Sequence, residues 1–75
     1  MYANLLGQKA VNHLTDSDMA KIISVSRNSY MQKMKSGRFY PSECIAFCRY
    51  FNKPFEFLFA TDDNSVEKNT FNGSD

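Results

Sequence analysis

The chain has 75 residues, 43% of them hydrophobic, with nine Lys/Arg, eight Asp/Glu, two Cys and one His, and a net charge of +1. That length supports one domain with a compact core built from local contacts, and leaves no room for a second domain carrying an enzyme site. No apolar run approaches the roughly 18 residues of a membrane span and no charged-then-apolar leader opens the chain, so a soluble, cytoplasmic protein without membrane contacts is expected.

Helix 1 is expected over about Ala3 to Asn12, with Leu5, Leu6 and Ala10 apolar, Gly7 a weak point, and Asn12 or His13 closing it in the left-handed conformation. "LTDSDMAKII" then opens helix 2. Thr15 caps it, Asp18 completes a capping box, and Asp16 adds favourable charge at the N-terminus. Met19, Ala20 and Ile23 mark its buried side. "SVS" interrupts, because Ser24 and Ser26 compete with the helical backbone, and Ser26 is the expected cap of helix 3. That helix runs to about Lys35, with Gly37 ending it. In "RFYP", Pro41 blocks continuation. Ser42 is expected to cap helix 4, whose apolar side is Cys44, Ile45, Phe47, Cys48 and Phe51. Asn52 closes it, and Pro54 takes the first position of a short helix 5, "PFEFLF". Residues 61–75 turn acidic and polar and are expected to form a mobile, disordered tail, leaving 1–60 as the domain.

The fold class is therefore all-α, with five helices. Residues 15–36 form a helix, a three-residue turn and a second helix, a spacing too short for antiparallel stacking and suited to a steep helix-turn-helix crossing. Ala20 fits the close approach, Val25 plugs the turn, and Tyr30 and Met34 pack inward. Arg27, Asn28, Met31, Gln32 and Lys35 then fall on the outward arc of helix 3.

Those side chains suit DNA. Arg bonds bidentately to guanine, Asn and Gln match adenine, and a Met can touch a thymine methyl group. Between Met19 and Ser42 the chain holds Lys21, Arg27, Lys33, Lys35 and Arg38 and no acid. Residues 1–53 carry eight Lys/Arg against three Asp/Glu, and residues 54–75 one against five. This polarity points to an anionic partner, with Lys21, Lys33, Lys35 and Arg38 as the phosphate-contacting set. A solvated basic face without a partner is the plain alternative.

"LTDSDMAKIISVSRNSYMQKMKSG" resembles the helix-turn-helix of phage repressor and Cro-like (XRE family) DNA-binding domains in Leu14-Thr15, Ala20-Lys21, Val25-Ser26-Arg27 and Gly37. The likeness extends through "PFEFLF", over about residues 4–59. It implies a lambda-repressor-like domain whose helix 3 enters the major groove of double-stranded DNA, with Ser26, Arg27, Asn28, Met31 and Gln32 at the base-reading positions. A phage or mobile-element transcriptional regulator, a repressor, is the implied function. The chain departs from the family pattern at Ser24, where Gly is usual, at Asp16 and Ser17, near a usual Gln, at Lys33, which replaces a large apolar residue, and in a connector to Pro41 that is one residue longer.

A second reading is a protein-interaction module, an antitoxin or adaptor docking through aromatic C-terminal helices. "CRYFNKPFEFLFA" concentrates Tyr50, Phe51, Phe55, Phe57 and Phe59, and any exposed surplus makes a contact patch. Through residues 44–59 such a patch can also build a homodimer, which would set two reading helices about 34 Å apart. Catalysis is not expected: the chain has one His, no acid cluster, no Gly-rich phosphate loop, and Asp62-Asp63 fall in the tail. Nor is a metal or cofactor, since Cys44 and Cys48 have only His13 to join them and read as reduced core residues.

Overall fold

A computed structural model describes residues 2–61; the acidic tail assigned to 61–75 lies, Thr61 apart, outside the described residues. The chain folds into five helices, α1 (Ala3–Val11), α2 (Asp16–Ile22), α3 (Arg27–Ser36), α4 (Pro41–Phe51) and α5 (Phe55–Leu58), with no strand among the described residues. α2 packs on α3 and α4, while the short α5 closes against α1 and α4.

The first four helices end in one way. A left-handed residue follows the helix, and the next backbone N–H turns back to a carbonyl five positions earlier, satisfying an otherwise unpaired acceptor. His13, Ser24, Gly37 and Asn52 hold the left-handed conformation, with φ of 56°, 60°, 76° and 55°. The returning bonds run from Leu14 N–H to Lys9 O (2.9 Å), Val25 to Ala20 (3.0 Å), Arg38 to Lys33 (3.2 Å) and Lys53 to Cys48 (3.1 Å). The helix starts differ from one another. Thr15 and Asp18 form the reciprocal capping box of α2, and the Ser26 hydroxyl accepts from Ser29 N–H at 3.1 Å. α4 begins one residue before the expected Ser42 cap. Pro41 occupies its first position, where no N–H is needed, Tyr40 is the cap, and the Glu43 carboxylate accepts from Tyr40 N–H at 2.8 Å. Likewise Pro54 is the cap of α5 and not its first residue.

The core is Leu5, Met19, Ala20, Ile23, Tyr30, Met34, Phe47, Phe51, Leu58 and Phe59. Phe39, from the connector between α3 and α4, joins its rings: it lies 5.6 Å from Phe47, 5.8 Å from Phe59, 6.0 Å from Tyr2 and 6.5 Å from Tyr30, centroid to centroid. The pairs with Phe47 and Phe59 are edge-on and those with Tyr2 and Tyr30 tilted, and ring pairs at these distances add to the area they bury. The Tyr2 hydroxyl donates to Gly37 O at 2.6 Å and so ties the start of α1 to the end of α3. Ile45, expected on the apolar side of α4, instead faces outward at 51% exposure, because Cys44, Phe47, Cys48 and Phe51 already follow the helical repeat that meets the core.

Candidate nucleic-acid interface

α2 packs on α3, and Ala20 of α2 is 2% exposed. The Ala20 carbonyl accepts from both Ile23 and Val25 N–H, so the chain leaves α2 within a single turn. Ser24 makes that reversal possible, and Val25 packs into the core from the turn. α3 therefore crosses α2 directly, with Tyr30 and Met34 buried along one side.

The opposite side is open. Ser26, Arg27, Asn28, Met31, Gln32 and Lys35 are all exposed. One guanidinium, two amides, a thioether and an ammonium thus share one surface of one helix, the outward arc expected from the helical period. The Ser26 oxygen accepts the Ser29 N–H as the cap of α3, which leaves its O–H as a donor.

The basic residues divide into three groups. Lys35 and Arg38 are exposed and make no ion pair among the described residues. Arg38 lines a polar cleft of about 440 Å³ with Ser29, Gln32, Lys33 and Ser36. The Ser29 hydroxyl, an amide and a guanidinium meet there as donors suited to a phosphate oxygen, while the Ser36 hydroxyl donates to Lys33 O at 3.5 Å and accepts from Arg38 N–H at 3.3 Å. Sequence reasoning missed Ser29 and Ser36; their spacing of seven residues, two helical turns, was the available signal. Lys21 stands elsewhere, in a groove between α2 and α4 lined by Asp18, Ile22, Arg49 and Tyr50.

Lys33, expected at a phosphate, is engaged within the fold. Its ammonium lies 3.3 Å from the Glu43 carboxylate and 4.4 Å from the centre of the Tyr40 ring, with the side chain only 17% exposed. Glu43 is itself buried and already accepts from the backbone of Tyr40. Lys33 neutralises that acid and fastens α3 to α4, so its charge is already matched within the fold.

Asp16, the first residue of α2, lies between two cations. Its carboxylate is 3.2 Å from the Lys9 ammonium and 3.7 Å from the Arg27 guanidinium. Asp18, by contrast, is committed to the cap: the backbone and side-chain hydrogen bonds of Thr15 hold its carboxyl below the usual carboxylate range. Burial, with the nearby charge of Asp16, pushes the Tyr30 phenol up to about 12. Burial also raises both thiols, Cys44 further by Cys48 and Glu43, and Cys48 by Glu56, which favours the protonated, unreactive form.

The C-terminal aromatics split. Phe51 and Phe59 are buried, whereas Tyr50, Phe55 and Phe57 remain 55%, 55% and 40% exposed. Phe55 borders an apolar groove with Phe39, Pro41, Cys44 and Ile45. Among the described residues no three His, Cys, Asp or Glu side chains gather as a metal site, and no helix is long and apolar enough to cross a membrane. Comparison of the chain with protein-family models, with curated proteins and with solved structures finds no match.

Proposed function

We propose that this chain is a sequence-specific double-stranded DNA-binding protein of the lambda-repressor-like, XRE type, a transcriptional regulator of phage or mobile-element kind. One observation carries the reading. The exposed side of α3 presents Arg27, Asn28, Met31 and Gln32 together, while Tyr30 and Met34 bury the other side. Arg27 is assigned to guanine, Asn28 and Gln32 to adenine, and Met31 to a thymine methyl group. Lys35 and Arg38, with the hydroxyl of Ser29, are assigned to the phosphates on either side.

Selection from a randomised duplex pool at near-physiological salt tests this. The expected result is an enriched motif that is lost with Arg27→Ala/Gln32→Ala. Arg27→Ala alone is expected to cost about 1–3 kcal/mol at one base pair, with the remaining positions unchanged. Affinity lost equally over all sequences reassigns Arg27 to phosphate, and enrichment without a motif refutes sequence reading.

The exposed Ile45 and Phe55 favour a second, compatible reading, a contact surface for another copy of the chain. Dimeric native mass that reverts to monomer with Ile45→Glu supports it, and a palindromic selected motif is its counterpart on DNA.

A further inference from the structure

The first helical residues of α2 and α3 meet as an ion pair, and we infer that Asp16 is a positioning residue that sets the base preference of Arg27. The inference rests on the DNA-reading assignment of α3. Alone, an exposed ion pair is a weak restraint, and 3.7 Å is beyond hydrogen-bond length. Asp16, however, is fixed from two other directions. Lys9 of α1 grips its second oxygen at 3.2 Å, and the unpaired amides at the start of α2 favour an acid there. The carboxylate is 29% exposed and the Arg27 side chain 55%, so Arg27 is the movable partner.

A guanidinium has five N–H donors in a planar fork. The contact to Asp16 is made through one terminal nitrogen and leaves the other donors free for guanine O6 and N7. An arginine biased toward one orientation by a fixed acid loses less side-chain freedom when it meets a base, and it is less inclined to swing aside to a phosphate beside a mismatched one. An acid near the DNA also repels phosphates. Asp16 thereby subtracts from indiscriminate binding while it improves discrimination, two effects of one carboxylate with opposite consequences for affinity and preference.

The experiment compares the full chain with Asp16→Asn, Asp16→Glu, Arg27→Ala and the double variant Asp16→Asn/Arg27→Ala. Each is checked for folding by circular dichroism, then measured for binding to the selected motif and to duplexes substituted at the base pair assigned to Arg27. With Asp16→Asn the preference at that base pair is expected to fall about two- to tenfold, the freedom of one side chain. Binding to random duplex tightens, because an acid has gone. Asp16→Glu restores the preference, and in the Arg27→Ala background Asp16→Asn changes it no further. In the free protein, the Arg27 Nε–H order parameter falls with Asp16→Asn.

A purely structural Asp16 would lower the melting temperature and leave base preference intact. Full preference in Asp16→Asn, an effect that persists in the double variant, or an Arg27 side chain equally mobile in both free proteins overturns the inference. A wild-type chain that enriches no motif removes the DNA reading and this inference together, whereas a motif indifferent to Asp16 removes the inference alone.

Discussion

His13, Ser24 and Asn52 take the left-handed conformation with a side chain attached, and the three are not equivalent. Asn and His are enriched in that region; Ser is less at ease there. A strained backbone of this kind costs on the order of 1–3 kcal/mol, and glycine recovers it less about 0.5–1 kcal/mol of its own conformational entropy. Ser24→Gly is therefore expected to raise stability by about 0.5–1 kcal/mol in urea melts without altering the fold. A destabilised variant would mean that the Ser24 hydroxyl contributes more than its backbone costs. Tyr30 offers a second test. Its hydroxyl is buried without a hydrogen-bond partner among the described residues, and burial pushes its phenol up to about 12 from an ordinary 10.0. The folded state thus favours the protonated form. The associated stability is complete below pH 10 and is lost as pH rises from 10 to about 12. Tyr30→Phe is expected to keep its stability at pH 7, since no hydrogen bond is broken, and to lose less than the wild type across that alkaline window. A large loss at neutral pH would show that the hydroxyl is satisfied after all.

At the scale of helices, the features readable in sequence were those whose partners lie within a few residues. Thr15 with Asp18, Ser26 ahead of Arg27, Gly37 and Asn52 act within one turn, so residue type and spacing suffice to place them. The inward Tyr30 and Met34, and hence the outward Arg27, Asn28, Met31 and Gln32, follow from the helical period in the same way. Contacts across the fold left no such mark. Nothing in the sequence pairs Tyr2 with Gly37, 35 positions away, or seats Phe39 among four rings. The ion pair of Lys33 was hidden for the same reason: in sequence Lys33 is one more cation in an acid-free stretch, and its acid lies on the next helix. That pair joins α3 to α4 and can be tested directly. Glu43→Ala removes both the acceptor for Tyr40 N–H and the counter-charge of Lys33. Breaking a fully buried pair costs about 3–5 kcal/mol. Because the Lys33 side chain retains some solvent contact, a loss of about 2 kcal/mol is expected in thermal or urea melts. Glu43→Gln, which keeps an acceptor oxygen, is expected to lose less. Equal losses would show that charge, and not the hydrogen bond, dominates.

For the molecule as a whole, charge is divided by location. Asp16 and Glu43 are matched by cations, Asp18 is committed to a cap, and Lys35 and Arg38 are left unpaired near the outward side of α3. If these two meet phosphates, affinity for DNA falls linearly with the logarithm of salt concentration, with a slope proportional to the contacts made. Lys35→Ala is expected to weaken binding to all duplexes and to reduce that slope by about one, leaving the selected motif unchanged. A changed motif would move Lys35 to the base-reading group.

The inward side of α3 has a further consequence. Tyr30, Lys33 and Met34 hold the helix in place, while Asn28, Met31, Gln32 and Lys35 are exposed and make no side-chain hydrogen bond or ion pair among the described residues. Substitution at such positions ordinarily shifts stability by no more than about 0.5 kcal/mol. A combinatorial library randomised at those four codons should therefore yield mostly folded proteins, and this small domain can serve as a frame on which new surface chemistries are sorted without rebuilding its interior.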